Sequence, residues 1–301
     1  IKTAEYGHQR LCLEGNAYDR LLTRLDRGMS MGDLITMDDL TNEEILQVLD
    51  NARSLLPVAK GDVYLPLLQG KVLGNLFFEN STRTRMSFET AMKRLGGEVL
   101  NLSSIGSSVA KGETLYDTMQ MVDGYADIAV IRHPNQGAAQ YSADAVEIPI
   151  LNGGDGAGNH PTQTMLDLFT IREAHGSLEG LNVMMVGDLR YGRTTHSLSH
   201  ALVRFGAKIT LVSPESLRMP DEIVSDLISH GGEINETEEM SLSIDSADVI
   251  YMTRIQKERF PDEDEYIKVA GIYKLTEDDL SGAKAGMIVM HPLPRVNELD
   301  A

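Results

Sequence analysis

Five consecutive residues, Ser81-Thr82-Arg83-Thr84-Arg85, place hydroxyl and guanidinium donors where an apolar run gives way to a helical pattern. A helix N-terminus offers unpaired backbone N–H groups and the positive end of its dipole. Hydroxyls add donors and a guanidinium adds a bidentate fork, so this run suits phosphate without the glycines of a P-loop. By itself the run fits equally well an N-capped helix with two solvated arginines.

Other polar groups follow apolar runs in the same way. Arg132-His133-Pro134 succeeds DIAVI, where a charge just past a buried strand points into a crevice; His133 reads as an orienting neighbour. His160-Pro161-Thr162-Gln163 opens a helix with Pro161 suited to its first turn, and a neutral His160 there is either a capping residue or a donor to a carbonyl oxygen. Arg193, at a helix start, and Arg254, just past a strand, each fork onto a carboxylate or pair at the surface. Ser107 and Lys111 lie in the Gly/Ser-rich segment SSIGSSVAKGET, where a lysine is either solvated or the point charge of a lid. The turn Gly187-Asp188-Leu189-Arg190-Tyr191-Gly192 lacks G-x-G-x-x-G, which argues against a dinucleotide site. The eight histidines are scattered and the only cysteine is Cys12, so the sequence shows no metal pattern, no disulfide framework and no Cys-His or Ser-His-Asp arrangement. No cofactor is expected.

The elements that must carry these groups alternate. Strands are expected at 71–78, 98–103, 127–131, 148–151, 182–187, 207–212, 248–252 and 286–290. Helices are expected at 41–56, where Thr41 and Glu44 form a capping box, and near 82–95, 113–125, 137–145, 161–175, 194–205 and 220–230. This alternation predicts an α/β chain of two domains, each a mostly parallel sheet flanked by helices. Ligands in such sheets bind beyond the C-terminal strand ends, where the residues above fall. Residues 1–30 read as a polar leader with a short helix around 17–25. A first domain is expected over 31–160, a linking helix over 161–175 after the glycine-rich turn 152–158, and a second domain over 176–301.

A net charge of −18 argues against nucleic acid and anionic membrane as partners, and it requires any anion site to gather its own positive charge. No apolar run approaches the ~18 residues of a membrane span, no signal-peptide pattern is visible, and a single cysteine fits a reducing cytoplasm.

Taken together, FFENSTRTRMSFETAMKRLGG, KGETLYDT, RHP, HPTQTMLDLFTI, GDLRYGRTTHSL, YMTRIQKER and HPLPR resemble the aspartate/ornithine transcarbamoylase family, in order, from about residue 31 to 298. KGET, and HPLPR where the ornithine enzymes have a Cys-containing H-C-L-P, are similar to the aspartate-using branch. Arg193, Arg254 and Gln256 also suit a dicarboxylate better than an amine. The resemblance implies transfer of a carbamoyl group from carbamoyl phosphate to L-aspartate in pyrimidine biosynthesis, in a cytoplasmic homotrimer with shared sites, and it leaves regulatory chains open. It implies that Ser81, Thr82, Arg83, Thr84 and Arg132 hold the phosphate. Ser107 and Lys111 would reach in from a neighbouring chain, with Lys111 also near the aspartate. Gln163 and the Leu293 backbone would bind the carbamoyl amide, beside Pro294 and a candidate cis Leu293-Pro294 bond. Arg193, Arg254 and Gln256 would bind aspartate, and Thr84, Arg132 and His160 would stabilise the oxyanion. Family members usually continue into a C-terminal helix, expected to be missing after Ala301. A carbamoyltransferase for ornithine and a non-catalytic subunit of the same fold are the alternatives.

Overall fold

The computed structural model describes residues 32–104, 107–156, 158–255, 269 and 271–299. The expected leader, its short helix and Gln256 lie outside the described residues.

Four parallel strands form a first sheet: β1 (Val72–Phe77), β2 (Glu98–Ser103), β3 (Ile128–His133) and β4 (Ile150–Asp155), in the order β2-β1-β3-β4. Five parallel strands form a second: β5 (Asn182–Val186), β6 (Lys208–Val212), β7 (Glu233–Thr237), β8 (Val249–Met252) and β9 (Ile288–Met290), in the order β7-β6-β5-β8-β9. The strand order reverses between β1 and β3 and again between β5 and β8, and a crevice opens at such reversals past the strand ends. The helices are α1 (Asn42–Ser54), α2 (Leu56–Lys60), α3 (Thr82–Arg94), α4 (Leu115–Asp123), α5 (Ala138–Ala143), α6 (Pro161–His175), α7 (Arg193–Val203) and α8 (Asp221–Ser229).

Most elements fall where the apolar periodicity places them, with four differences. β7, sequence EINET, lacks the apolar run of a central strand; among the described residues it pairs only with β6, at an edge, and buries little. α2 is a single Pro-started turn ended by Gly61 at φ 84°. α7 begins at Arg193, one residue early. The fourth difference touches the site. Asn152 to Asp155 belong to β4 rather than to a turn, and the glycines there admit a neighbouring side chain. A Cβ on Gly154, which sits at φ 114°, would lie 2.8 Å from Nη1 of Arg132.

α1 starts with its capping box: the backbone N–H of Thr41 donates to the Glu44 carboxylate at 2.8 Å, and the Glu44 N–H donates back to the Thr41 hydroxyl at 3.2 Å. Ile45 and Leu49 on its inner face share one core with Leu168 and Ile171 of α6 and with Val183 and Met185 of the second sheet. The segment before α1 joins the first sheet, where Leu34 bridges Leu151 at the β4 edge. Residues 34–49 therefore touch both sheets. Arg204 fastens them to the second, donating to Asn42 Oδ1 at 2.9 Å, to the Met37 carbonyl at 2.9 Å and to the Leu40 carbonyl.

Candidate active site

Arg132 is the last residue but one of β3. Its guanidinium lies over β4, where it donates to the Gly153 carbonyl at 3.0 Å and stands 3.0 Å from the Glu79 carboxylate. Glu79 follows β1, the strand across the reversal. On its other side is Arg193, 3.6 Å away, at the first position of α7. Arg193 also donates to the carbonyl of Gly156, past the end of β4. Two guanidiniums, one from each half of the molecule, thus flank one carboxylate. This locally reverses the sign of a strongly acidic chain.

His160 precedes Pro161 at the start of α6, with Nε2 3.5 Å from Arg132 Nη1 and Nδ1 3.3 Å from the Thr162 hydroxyl. Burial, helped by Arg132 and then Arg193, drives its pKa down to about 3, so the ring is neutral near pH 7. A guanidinium only donates, so in this pairing Nε2 accepts and Nδ1 carries the hydrogen. Asn159, just before His160, is held by Asp155, which is buried. That carboxylate accepts from the N–H groups of Gly137 at 2.8 Å and Asn159 at 2.7 Å, and from the Asn152 side chain at 3.2 Å.

Ser81 is the N-cap position of α3 and makes no side-chain cap bond to its own helix. Thr84 is half-buried while Thr82, Arg83 and Arg85 are exposed, and Arg83 makes no ion pair among the described residues. Gln163, one turn into α6, donates through Nε2 to Asp167 at 3.0 Å. At the second reversal a Cβ on Gly187, at φ 118°, would strike the Thr253 carbonyl, and the Asp188 N–H donates to the Thr253 hydroxyl at 3.0 Å. This close approach sets Arg254, which is half-buried, just past β8, near enough to His291 to oppose its protonation. His291 accepts the Leu293 N–H at 2.8 Å and lies 2.8 Å from Glu298; the Leu293-Pro294 bond is cis. No hydrogen bond or ion pair joins Ser107 or Lys111 to this cluster among the described residues. Ser107 donates to the Ser104 carbonyl at 3.3 Å, and the exposed Lys111 has no ion pair among the described residues. No three His, Cys, Asp or Glu side chains form a metal-binding group among the described residues.

Two family models cover this geometry. One, described as the carbamoyl-P binding domain of aspartate/ornithine carbamoyltransferase, matches residues 32–173; the other, its Asp/Orn binding domain, matches 179–301. The chain belongs to the aspartate/ornithine carbamoyltransferase family. It is 53% identical over 270 residues to the aspartate carbamoyltransferase catalytic subunit of Archaeoglobus fulgidus, covering 89% of each chain. With that of Methanococcoides burtonii it shares 55% over 276 residues, 90% of this chain and 89% of the other. Among solved structures, the catalytic subunit of M. jannaschii aspartate transcarbamoylase superposes with a TM-score of 0.83 at 50% identity, covering 90% of this chain and 88% of that one. The Trypanosoma cruzi aspartate transcarbamoylase in complex with N-(phosphonacetyl)-L-aspartic acid superposes with a TM-score of 0.84 at 39% identity, covering 89% and 86%. Against the family's motifs, Glu79, Asp155 and Asp167 are the polar residues that sequence reasoning missed. Asp167 had a visible signal: it is the one charged residue in TMLDLFTI and falls on the face of Met165, Leu168 and Ile171.

Proposed function

We propose that this chain transfers the carbamoyl group of carbamoyl phosphate to the α-amine of L-aspartate, giving N-carbamoyl-L-aspartate and phosphate. The observation that carries this reading is the meeting of Arg132 and Arg193, one from each half of the molecule, around Glu79, with neutral His160 beside Arg132. Ser81, Thr82, Arg83 and Thr84 at the α3 N-terminus, with Arg132, hold the phosphate. Arg193, Arg254 and Gln256 hold the two carboxylates of aspartate. Gln163 and the backbone of Leu293, beside Pro294, take the carbamoyl amide.

The neutral amine attacks the carbonyl carbon, and negative charge grows on its oxygen. Thr84, Arg132 and His160 donate to that oxygen, His160 by moving its hydrogen to the nitrogen that faces it once Arg132 turns to the anion. Loss of one such donor costs on the order of 3 kcal/mol of barrier. The carbon–oxygen bond to phosphate then breaks, and the departing phosphate accepts the amine proton. Holding the two anions together supplies much of the remaining rate through positioning.

The half-buried Ser107 and the exposed Lys111 serve the site of a neighbouring copy in a homotrimer with shared sites. Residues 31–160 and 176–301 act as the carbamoyl phosphate and aspartate domains, joined by 161–175. Among the described residues no helix is long and apolar enough to cross a membrane, and the reaction belongs to pyrimidine biosynthesis in the cytoplasm. Phosphate release from carbamoyl phosphate, measured with aspartate and with ornithine, tests the reading. Turnover with aspartate is expected; turnover with ornithine alone rejects it.

A further inference from the structure

One buried acid beside the site, Asp167, touches neither substrate in the proposed reaction. Asp167 lies one helical turn beyond Gln163 on the same face of α6, and the residue is 5% exposed. Each oxygen has one donor: Oδ1 accepts from Gln163 Nε2 at 3.0 Å, and Oδ2 accepts from the Tyr251 hydroxyl at 2.8 Å. Tyr251 is fully buried in β8 and is also hydrogen-bonded to Thr194, the neighbour of Arg193. Burial raises the Asp167 pKa to about 7, against the pull of Tyr251 and Gln163. An acid that only anchored α6 to the second sheet would need Tyr251 alone. The second arm goes to a half-buried amide whose oxygen, Oε1, has no hydrogen-bond partner among the described residues.

We propose that Asp167 is a positioning residue that fixes the sense of the Gln163 amide, so that Oε1 faces the crevice as an acceptor and the site selects an acyl phosphate whose acyl carbon bears N–H over one bearing a methyl group. The inference rests on the assignment of Gln163 to the carbamoyl amide. Above about pH 7 the carboxylate is ionised and only accepts, so there the amide NH2 must face it and the oxygen must face away. With the amide reversed, its NH2 would meet the NH2 of the carbamoyl group, donor against donor. In the sense observed, an acyl methyl would face a lone acceptor and leave it unsatisfied, the kind of mismatch by which polar sites reject analogues lacking the matching group. The same carboxylate holds Tyr251, three residues before Arg254, so a single acid registers the carbamoyl amide against the strand that carries the expected aspartate ligand.

The test compares the KM for carbamoyl phosphate with the inhibition constant of acetyl phosphate, which has methyl in place of NH2, in the parent, D167N, Q163E and the D167N/Q163E pair. In D167N the new side-chain amide donates to Gln163 and turns Nε2 toward the crevice. Its KM for carbamoyl phosphate should rise roughly tenfold, with the acetyl phosphate constant changing little, since one mispaired hydrogen bond has about that weight. In the pair, the carboxylate introduced by Q163E accepts from the amide introduced by D167N and again presents an oxygen to the crevice, so the ratio of the two constants should return toward the parent's. The added charge repels both phosphates alike and cancels in the ratio. Tyr251→Phe cuts only the anchoring arm; it should lower the unfolding temperature and leave the ratio near the parent's. An unchanged ratio in D167N, a lost ratio that the pair does not recover, or an equal loss in Tyr251→Phe would each overturn the inference. If the parent itself fails to release phosphate from carbamoyl phosphate with aspartate, the functional reading falls and this inference with it, a result seen before any variant is made.

Discussion

Arg193 of α7 donates to the carbonyl oxygen of Gly156, so a side chain of the second half is tied to the backbone of the first across the crevice. Glu79 completes the tie by standing between Arg193 and Arg132. Glu79→Gln removes the shared anion and leaves two guanidiniums side by side. Mutual repulsion should then displace Arg193, which reaches in from the far side of the crevice. The KM for aspartate should rise roughly tenfold, the effect of about 1.4 kcal/mol, while affinity for inorganic phosphate stays level or improves. Steady-state kinetics and phosphate inhibition check this; an unaltered aspartate KM refutes it.

Gly154→Ala should be more damaging than its size suggests. The new Cβ would stand 2.8 Å from Arg132 Nη1 and 3.4 Å from His160 Cδ2, at a φ of 114° that side chains avoid. Stability should fall by ~1–3 kcal/mol, and kcat/KM for carbamoyl phosphate should drop at least about tenfold as Arg132 is pushed off β4. Gly180→Ala is the control, since Gly180 has positive φ but nothing within 4 Å of the added methyl. It should lose stability without the kinetic defect. Equal kinetic losses in both would rule out the steric account.

His160 and Asp167 give opposite pH dependences of stability. The folded pKa of His160 is lowered to about 3, so between about pH 3 and 6.5 the unfolded chain holds a proton that the folded one lacks. Its contribution therefore rises with pH. The folded pKa of Asp167 is raised to about 7, so from about pH 4 to 7 the folded chain keeps a proton that the unfolded one has lost. Its contribution falls as pH rises. Each slope approaches ~1.4 kcal/mol per pH unit, and in the parent they largely cancel over about pH 4 to 6.5. Relative to the parent, H160N should tilt stability downward with rising pH and D167N should tilt it upward. Urea unfolding near pH 5 and near pH 6 reads both slopes; tilts of the same sign would reject the pair of assignments.

Lys111 offers a test of shared sites. If it serves a neighbouring copy, Lys111→Ala and Arg83→Ala chains, each nearly inactive alone, should complement when unfolded and reassembled together. Random assortment around a ring yields about a quarter of the parental activity. A mixture as inactive as its components would place Lys111 in its own chain's site.

The sequence displays the framework well because its signals are local. The apolar runs mark eight of the nine strands among the described residues, and the capping box of Thr41 and Glu44 marks the start of α1. Candidate groups also sit at strand ends, where parallel sheets gather ligands. The parts that escape are defined across distance. Glu79 looks like one more acid until β3 and α7 bring two arginines to it, and β7 lacks an apolar run because one neighbour and one exposed edge suffice. Gly153 and Gly154 look like a turn, yet they are strand residues whose missing side chains make room for Arg132. Asp167 shows in the sequence only as an acid out of place, and its partner Tyr251 is 84 residues away.

The segment around Leu34 to Leu49, which touches both sheets, has a geometric consequence. With α6 it gives the two halves a second connection, made by Leu34 at the edge of β4 on one side and by Arg204 on the other. A body attached at one point can swivel in any direction, whereas a body attached at two can turn only about the line through them, as a door turns on its pair of hinges. Two attachments leave fewer directions of relative rotation than one, so the pairing of Arg193 with Glu79 is held by the frame as well as by its own charges.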